Sequence, residues 1–282
     1  TGTQVNLSQV ESGTGGFVIK GENSYDWAGG WVSAAGDING DGYDDIIVNA
    51  IGFDSSSRYY GSSYVIYGKT DGSSVELSNI RAGNGGFAII GSDNQSGYVS
   101  VINGGGDING DGYLDFVLGA QGGNQNGVYS GTTYVVFGSS IMNNVYLSDI
   151  TSGTGGYSIN GVSAGDSAGK SIDIIGDING DGYDDIVIGA HHNNTNGDDA
   201  GAAYIVYGKQ DTSTVELSNI TDGNGGFVLN GVAAGDQTGL SVAGAGDVNG
   251  DGFDDVIIGA PYNDNTDTSA GAAFIVYGNN FT

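Results

Sequence analysis

The stretch GDINGDGYDDIIVNA, residues 36–50, joins a cluster of acidic residues and glycines to a short apolar run. Asp37, Asn39, Asp41 and Asp45 alternate along its first part, and the run IIV follows them. Asn-Gly and Asp-Gly steps are typical of tight turns, whereas β-branched runs are typical of buried strands. The stretch therefore predicts an acidic loop that leads directly into a strand.

The same stretch occurs four times along the chain at a constant interval of 70 residues, and its copies begin at Gly36, Gly106, Gly176 and Gly246. A fixed period is the signature of a repeat architecture, in which every unit adopts the same supersecondary structure. We therefore interpret the 282 residues as one domain of four repeats, approximately 1–70, 71–140, 141–210 and 211–282.

Each repeat is predicted to contain four short strands, which we name A, B, C and D. In the first copy they cover residues 29–36, 45–50, 62–68 and 86–91, and glycines bound these β-branched and aromatic runs. The segment VELSNI between C and D, from Val75, fits either a short turn with an apolar plug or a brief fifth strand. Because glycine interrupts every window long enough for a helix, no helix is predicted.

Four equal units of four strands favour an all-β fold, a β-propeller of four 70-residue blades. A β-sandwich would not require the identical spacing. The chain starts with a D-type strand from Gly16 and finishes with a C-type strand that ends at Gly278. We therefore expect the N-terminal strand to close the last blade, and the alternative is that two chains share a larger ring.

The charge of the chain excludes several classes of partner. It has 33 acidic residues against 6 basic ones, which gives a net charge of -27. Nucleic acid binding requires basic side chains, so no nucleic acid partner is expected. No apolar stretch approaches the roughly twenty residues of a membrane span, so no membrane insertion is expected either. Cysteine is absent, which leaves neither disulfides nor thiolate metal sites.

The acidic loop has the composition of a calcium site. Residues at alternate positions of a tight loop can direct their oxygens toward one centre, and Ca²⁺ takes six to eight oxygen ligands. The glutamate that closes an EF-hand loop at position 12 is missing, since Val48 stands there, so Asp45 is expected to close the site. An all-oxygen set disfavours zinc, and magnesium prefers a smaller shell that retains water.

We therefore predict about four Ca²⁺ ions, one in each repeat. The alternative, plain turns with solvated acids, does not explain why the same positions recur in every copy. The predicted metal ligands are Asp37, Asn39, Asp41, Tyr43 and Asp45; Asp107, Asn109, Asp111, Tyr113 and Asp115; Asp177, Asn179, Asp181, Tyr183 and Asp185; and Asp247, Asn249, Asp251, Phe253 and Asp255, with the seventh position contributing its carbonyl.

The fullest copy, TGLSVAGAGDVNGDGFDDVIIGAP at residues 238–261, resembles the FG-GAP repeat of the propeller in integrin α subunits, which also occurs in bacterial surface and secreted proteins. The resemblance covers essentially the whole chain and implies a propeller with a calcium role for the loops above. The chain departs from it in two respects. The phenylalanine of the "FG" pair is replaced by Ala28, Tyr98, Ala168 and Thr238, and integrin propellers have seven blades.

Ligand recognition is expected on the face opposite the calcium loops, where the B–C and D–A loops differ between copies. The first copy is the richest in aromatic residues. We predict a ligand-binding patch there, and the alternative is that Trp31 plugs the ring. The candidate residues are Tyr25, Trp27, Trp31, Arg58, Tyr59 and Tyr60. His191 and His192 are interpreted as exposed loop residues.

These features favour a non-catalytic, calcium-stabilised adhesion or recognition module of a secreted or cell-surface protein, with an extracellular protein or a glycan as its partner. One alternative is a polysaccharide-active enzyme, for which the acids outside the calcium loops are Glu22, Asp26, Asp166, Asp173 and Asp236. The first-ranked prediction is that the chain is not an enzyme. The other alternative is a self-assembling scaffold whose chains associate with one another.

Overall fold

The computed structural model describes residues 4, 6–50, 52, 62–91, 99–264 and 267–279. In chain order the elements are α1 (Leu7–Glu11), β1 (Ile19–Lys20), β2 (Ala28–Gly36), β3 (Asp45–Ala50), β4 (Ser62–Ile66), β5 (Val75–Glu76), α2 (Leu77–Arg81), β6 (Gly86–Ile90), β7 (Val101–Gly106), β8 (Asp115–Ala120), β9 (Thr132–Val136), β10 (Val145–Tyr146), α3 (Leu147–Thr151), β11 (Gly156–Asn160), β12 (Ser171–Ile174), β13 (Ile186–Ala190), β14 (Ala202–Val206), β15 (Val215–Glu216), α4 (Leu217–Thr221), β16 (Gly226–Asn230), β17 (Ser241–Gly246), β18 (Asp255–Ala260) and β19 (Ala272–Val276).

The strands form four repeated sheets, here called blades 1 to 4. Blade 1 has the order β10-β6-β4-β3-β2, blade 2 β15-β11-β9-β8-β7, blade 3 β12-β13-β14-β16 and blade 4 β17-β18-β19. Within each blade, those of strands A to D that the structure describes pair antiparallel in sequence order. The predicted all-β class with four repeated units is confirmed, although blade 4 contains only strands A, B and C among the described residues.

A β-bulge places the acidic loop at the end of strand A. In blade 1, Ala34 lies opposite Ile46, and the register then shifts so that Gly36 lies opposite Asp45. Gly36 has a φ of 68°, a left-handed conformation that glycine adopts without strain. The same shift occurs in blades 2 and 4. The bulge turns strand A into the loop, and strand B begins at the loop's last aspartate.

The segment between strands C and D contains both a brief strand and a helix, so the prediction of no helix was wrong. Its first two residues pair in parallel with strand D of the preceding unit, as β5 does with β1, β10 with β6 and β15 with β11. A five-residue helix follows, and in α2 the side chains of Leu77 and Ile80 are buried. In the sequence, the leucine and isoleucine three residues apart indicate the buried face of this helix. The helix was missed because it is shorter than the sequence windows in which helical periodicity can be detected.

The hydrophobic core lies between successive blades. Phe87 and Val65 of blade 1 pack with Phe116 and Leu118 of blade 2, and equivalent clusters join blades 2 and 3 and blades 3 and 4. The inner A strands contact one another in the order β2, β7, β12, β17, whereas β17 has no comparable contact with β2 in the described part. The blades therefore form an open arc.

The predicted closure of the last blade by the N-terminal strand is not formed in this structure. Within the described residues, β19 pairs only with β18, and β1 pairs with β5. The reason is that the inner strands β2 and β17 are not brought together in the described part, so that β19 does not meet β1, whose Ile19 packs beside Leu77 and Val75 of blade 1. No helix among the described residues is long and apolar enough to cross a membrane.

Candidate metal loops and the opposite loop face

The first acidic loop is held in shape by hydrogen bonds from its own backbone. The Asp37 carboxylate accepts from the N–H of Asp41 at 2.9 Å and from the N–H of Gly42 at 2.8 Å. Asn39 Oδ1 also accepts from the Asp41 N–H, at 2.8 Å, and Asp41 Oδ1 accepts from the N–H of Tyr43, at 2.9 Å. Gly42 has a φ of 90°, which permits the sharp turn. Three predicted ligands thus lie on one tight loop.

The fourth predicted side-chain ligand, the carboxylate of Asp45, lies beneath this loop and is buried. Its Oδ2 atom accepts a hydrogen bond from the N–H of Ile38 at 3.0 Å, and its Oδ1 atom accepts from the N–H of Gly68 at 2.9 Å. Asp45 therefore connects the start of the acidic loop, the start of strand B and the end of strand C. Its equivalents Asp115, Asp185 and Asp255 are buried and make the same two bonds.

Burial raises the pKa of three of these aspartates, Asp45, Asp115 and Asp185. Desolvation raises the pKa of Asp115 to about 7, against the lowering effect of its two backbone hydrogen bonds, and the nearby Asp111 and Asp107 raise it further. The same causes raise the pKa of Asp185 to about 8 and raise the pKa of Asp45. No ion pair of the described residues involves any of the four buried aspartates. A cation would supply the missing partner.

The fit of a metal to these loops depends on the chemistry of the donors. All the predicted side-chain donors are oxygens of Asp or Asn, which suits a hard cation. In the described residues, no three acidic or histidine side chains converge on a common point as a preformed metal cluster. The loop oxygens instead accept backbone hydrogen bonds. The donor set fits calcium, and binding would require these oxygens to turn toward the ion.

Neighbouring loops are joined by an aspartate at the eighth loop position. Asp184 Oδ2 accepts from the N–H of Asp107 at 2.8 Å, which connects the loops of blades 3 and 2. Asp254 Oδ2 accepts from the N–H of Asp177 at 3.2 Å and connects blades 4 and 3. Blade 2 has Leu114 at this position, beside Gly36, so the loops of blades 1 and 2 lack the link. No spacing in the sequence indicates this contact, because it joins residues of different repeats.

On the opposite face, the predicted aromatic patch is solvent-accessible where it is described. Tyr25, Trp27 and Trp31 are 75%, 55% and 46% exposed. Tyr25 and Trp27 adopt left-handed backbone conformations, with φ of 68° and 51°. Trp31 lies on β2 opposite Asn49 and, in the open arc, does not act as a buried plug. Arg58, Tyr59 and Tyr60 lie outside the described residues.

The acids before strand A hold the loops of this face. Asp166 and Asp236 are buried, and each accepts a hydrogen bond from an asparagine of the B–C loop, Asn193 at 3.0 Å and Asn263 at 2.7 Å. Asp26 accepts from the backbone N–H of Asn23. These carboxylates stabilise turns, and their role is structural.

Asp173 also has a structural role. Its Oδ1 atom accepts from the side-chain amide of Asn103 at 2.6 Å, and its Oδ2 atom accepts from the N–H of Gly244 at 2.8 Å. These residues lie on the inner strands of blades 2, 3 and 4. Asp173 therefore joins three blades near the axis of the arc.

A partly buried polar network in blade 1 involves Glu22 and was not recognised in the sequence. Glu22 Oε2 accepts from Arg81 Nε at 2.7 Å and from the Tyr64 hydroxyl at 2.9 Å. Arg81 also donates to the Tyr64 hydroxyl at 2.7 Å and to Ser62 at 2.9 Å. The arginine lies 5.4 Å from the centre of the Tyr64 ring. The network joins the D–A loop to strand C and α2.

The two histidines differ in environment. His192 is partly exposed, and its Nδ1 atom lies 2.9 Å from an oxygen of Asp199. The interpretation of His191 as exposed was wrong, because it is buried, with its ring 3.9 Å from that of His192. Desolvation, with His192 and Lys170, lowers the pKa of His191 to about 4. His191 is therefore a neutral core residue.

The repeated loop and its flanking strands agree with comparison to known proteins. The sequence model of the FG-GAP repeat matches residues 29–66, 103–136, 171–206 and 238–276, just over half of the chain. This chain belongs to the FG-GAP repeat family. Each FG-GAP match starts in or beside strand A and ends in strand C, so it includes the acidic loop and the buried aspartate that follows it.

Among characterised proteins, the FG-GAP chain is similar to two groups. It is 28% identical over 226 residues to a phosphatidylinositol-glycan-specific phospholipase D of Dictyostelium discoideum, a match that covers 72% of this chain and 22% of that protein. The bovine protein of the same name is 29% identical over 69% of this chain and 22% of its own length. Integrin alpha-PS2 of Drosophila melanogaster is 31% identical over 62% of this chain and 11% of its own length. The chain thus spans about a fifth or less of these relatives.

Proposed function

We propose that this FG-GAP chain is a non-catalytic, calcium-stabilised recognition module of a secreted or cell-surface protein. The proposal rests on the difference between the two faces of the chain. Four equivalent all-oxygen loops occupy one face, and the opposite face exposes aromatic residues on loops that differ between repeats. A rigid repeated frame with variable loops is a common arrangement for binding.

In each loop, one Ca²⁺ ion would be held by the three side chains of the turn, by the carbonyl at the seventh position and by the buried aspartate. In blade 1 these are Asp37, Asn39, Asp41, Tyr43 and Asp45. A bound ion would supply the positive charge that the buried carboxylate lacks. Calcium sites of extracellular modules have dissociation constants of roughly 10⁻⁴ to 10⁻³ M, which favours a location outside the cell.

The proposed ligand is an extracellular protein or a glycan, and its contact surface would include Tyr25 and Trp27. Exposed tyrosine and tryptophan are enriched in binding sites, because each presents a large apolar surface together with a polar group. The similarity to integrin α chains supports an adhesion role.

A polysaccharide-active enzyme is the second candidate, and the similarity to two proteins named phospholipase D is a reason to test for catalysis. The acids outside the metal loops do not favour it. Glycoside hydrolysis requires two carboxyl groups at a set separation around the scissile bond, whereas Glu22, Asp166 and Asp173 are each engaged in structural contacts. We therefore rank binding above catalysis.

Two measurements test the proposal. Calorimetric titration of chelator-treated protein with Ca²⁺ should give about four sites, and the melting temperature should rise with Ca²⁺. A panel of glycans and extracellular-matrix proteins, screened in calcium, should contain a ligand whose binding is lost in Trp27→Ala. Tyr262→Ala, an exposed tyrosine in the B–C loop of blade 4, is the matched control. Equal melting with and without Ca²⁺ would contradict the metal assignment, and turnover on a glycan would contradict the binding role.

A further inference from the structure

An apolar groove of about 240 Å³ lies between the outer parts of blades 3 and 4. On one side it is lined by strand D of blade 3 and on the other by strands B and C of blade 4. Its lining contains no charged residue and consists of Val228, Leu229, Asn230, Val232, Thr238, Ile258, Phe274 and Val276. Such a groove on a chain with a net charge of -27 is an unusual surface.

The equivalent position between blades 2 and 3 is filled by α4. Leu217 and Ile220 of that helix are buried against Ile188, Tyr204 and Val206. These three residues are the counterparts, 70 residues earlier, of the groove residues Ile258, Phe274 and Val276. The strand β15 before α4 pairs with strand D of blade 2. The groove is therefore the position that a helix equivalent to α4 would occupy.

A segment with this pattern lies at the other end of the arc. Residues 6–20, here called the hook, contain α1 and β1. Leu7 of α1 is 82% exposed, whereas its counterpart Leu77 is fully buried. The hook nevertheless has the same internal hydrogen bonding as the segment that contains α4. The N–H of Gly13 donates to Val10 O at 2.9 Å, as the N–H of Gly223 donates to Ile220 O at 2.9 Å. The hook is formed but its apolar face is uncovered.

The open edge of β19 is complementary to the hook's strand. In blade 3, β14 is covered by β16, with Val206 opposite Gly226 and Ile205 opposite Phe227. Without such a partner among the described strands, Ile275 of β19 is 44% exposed, whereas Ile205 is fully buried. Applying the repeat interval to this register places Gly16 opposite Val276 and Phe17 opposite Ile275.

We propose that the hook of a second copy of this chain occupies the groove and the edge of β19. The hook is fixed to blade 1 by the pairing of β1 with β5 and by the ion pair of Lys20 with Glu76 at 3.0 Å. It does not meet its own blade 4, because the inner strands β2 and β17 have no contact comparable to those of the other inner strands in the described part. No unfolding is required for the exchange. In blade 1, strand β6 pairs with β4 on one edge and with β10 on the other, and β1 would do the same between two copies.

Charge and area are both compatible with this partner. The hook contains one acid and one base, Glu11 and Lys20, and meets an uncharged groove, so the contact brings no like charges together. If two copies exchange hooks symmetrically, the contact occurs twice, which doubles the area buried towards the roughly 1,600 Å² of a standard specific interface. Repulsion between two strongly acidic chains should weaken the association at low ionic strength.

The first test is the solution mass in calcium and about 0.15 M salt, measured by light scattering over a range of protein concentrations. The expected mass is twice 28.4 kDa or a higher multiple. Leu7→Asp should restore 28.4 kDa without changing the far-UV spectrum or the calcium sites, because Leu7 is 82% exposed in the single chain. Ile141→Asp, at another exposed apolar position, is the matched control and should remain associated. A mass of 28.4 kDa at every concentration would overturn the proposal.

The second test determines which chain donates the hook. The chain has no cysteine, so Phe17→Cys and Ile275→Cys can be introduced in two differently tagged copies. Directly opposite residues of paired strands have Cβ atoms about 4.5–5.5 Å apart. Mixed under mild oxidation, the two copies should form a disulfide-linked pair. If a doubly substituted chain at high dilution instead forms the bond within itself and keeps the mass of a single chain, the ring closes in one chain and the proposal is wrong.

Discussion

The Oδ2 atom of Asp184 accepts a hydrogen bond of 2.8 Å from the backbone N–H of Asp107, which joins the acidic loops of two neighbouring blades. The backbone N–H of Asp184 in turn donates to the carbonyl oxygen of Asp107 at 3.1 Å. Asp107, the first residue of the acidic loop of blade 2, is thereby held by Asp184, which precedes the buried Asp185 of blade 3. Loops that are equivalent in sequence are therefore connected in the tertiary structure, except between blades 1 and 2.

We expect Asp184→Leu to lower stability by about 1 kcal/mol, because it removes one partly buried hydrogen bond to a backbone donor. Leucine is tolerated at this position in blade 2, where Leu114 occupies it. Calcium titration should show weaker binding in two loops, since both loops lose a support. Asp44→Leu is the control, because Asp44 is exposed and makes no such bond among the described residues. Equal effects of the two variants would contradict the link.

Replacement of one buried aspartate should affect both stability and metal binding. Asp115→Asn keeps the size of the side chain but presents an N–H₂ group to one of the two backbone donors, Ile108 or Gly138. We expect a cost of about 1–3 kcal/mol and the loss of one calcium site in a titration. Asp198→Asn, which makes the same change of charge at an exposed position, should change neither. An unchanged site count in Asp115→Asn would remove this residue from the ligand set.

The network around Arg81 should contribute more than a surface ion pair. Arg81→Lys keeps the charge but cannot bond Glu22, Tyr64 and Ser62 together, so we expect a loss of about 1–3 kcal/mol. Lys20→Met breaks the exposed pair with Glu76 and should cost less than about 1 kcal/mol. Chemical denaturation of both variants measures the difference. If Arg81→Lys and Lys20→Met lost similar amounts of unfolding free energy, the network would contribute no more than a surface ion pair.

His191 should make stability depend on pH. Its folded-state pKa of about 4 lies below its ordinary value of 6.5, so the unfolded chain binds the proton more readily. The contribution of neutral His191 is complete above pH 6.5 and is lost as the pH falls toward 4, by an amount on the order of 2 kcal/mol. The aspartates also titrate there, so the measurement is the difference between the native protein and His191→Gln. If the free energies of unfolding of the native protein and His191→Gln changed in parallel between about pH 7 and 4.5, this role of His191 would be excluded.

Much of the fold was readable from the repeat. The predicted bounds of strand B in the first copy, 45–50, agree with β3 (Asp45–Ala50), because the aspartate that ends the loop and the β-branched run occur together. Strand C was predicted to Gly68 but ends at Ile66. The five-residue helices were missed, since they are too short for intrinsic helix propensity to indicate them. The helices α2, α3 and α4 are stabilised by the burial of two side chains each.

The site was predicted only as far as local sequence determines it. The positions of the loop oxygens follow from the spacing of Asp, Asn and Gly, and the turns of the structure use those residues. The role of His191, the network around Arg81 and the link from Asp184 to Asp107 depend on residues brought together from different elements, and no spacing in the sequence indicates them.

The sequence by itself determined four equal units, each with an acidic loop whose last aspartate leads into a strand. It did so because tight turns and alternating strands depend on neighbouring residues. Only the tertiary structure decided that the blades form an open arc, with the hook folded against blade 1 and the groove between blades 3 and 4 uncovered. Ring closure depends on how each blade packs against the next, and identical repeats contain the same local information whether the ring is open or closed.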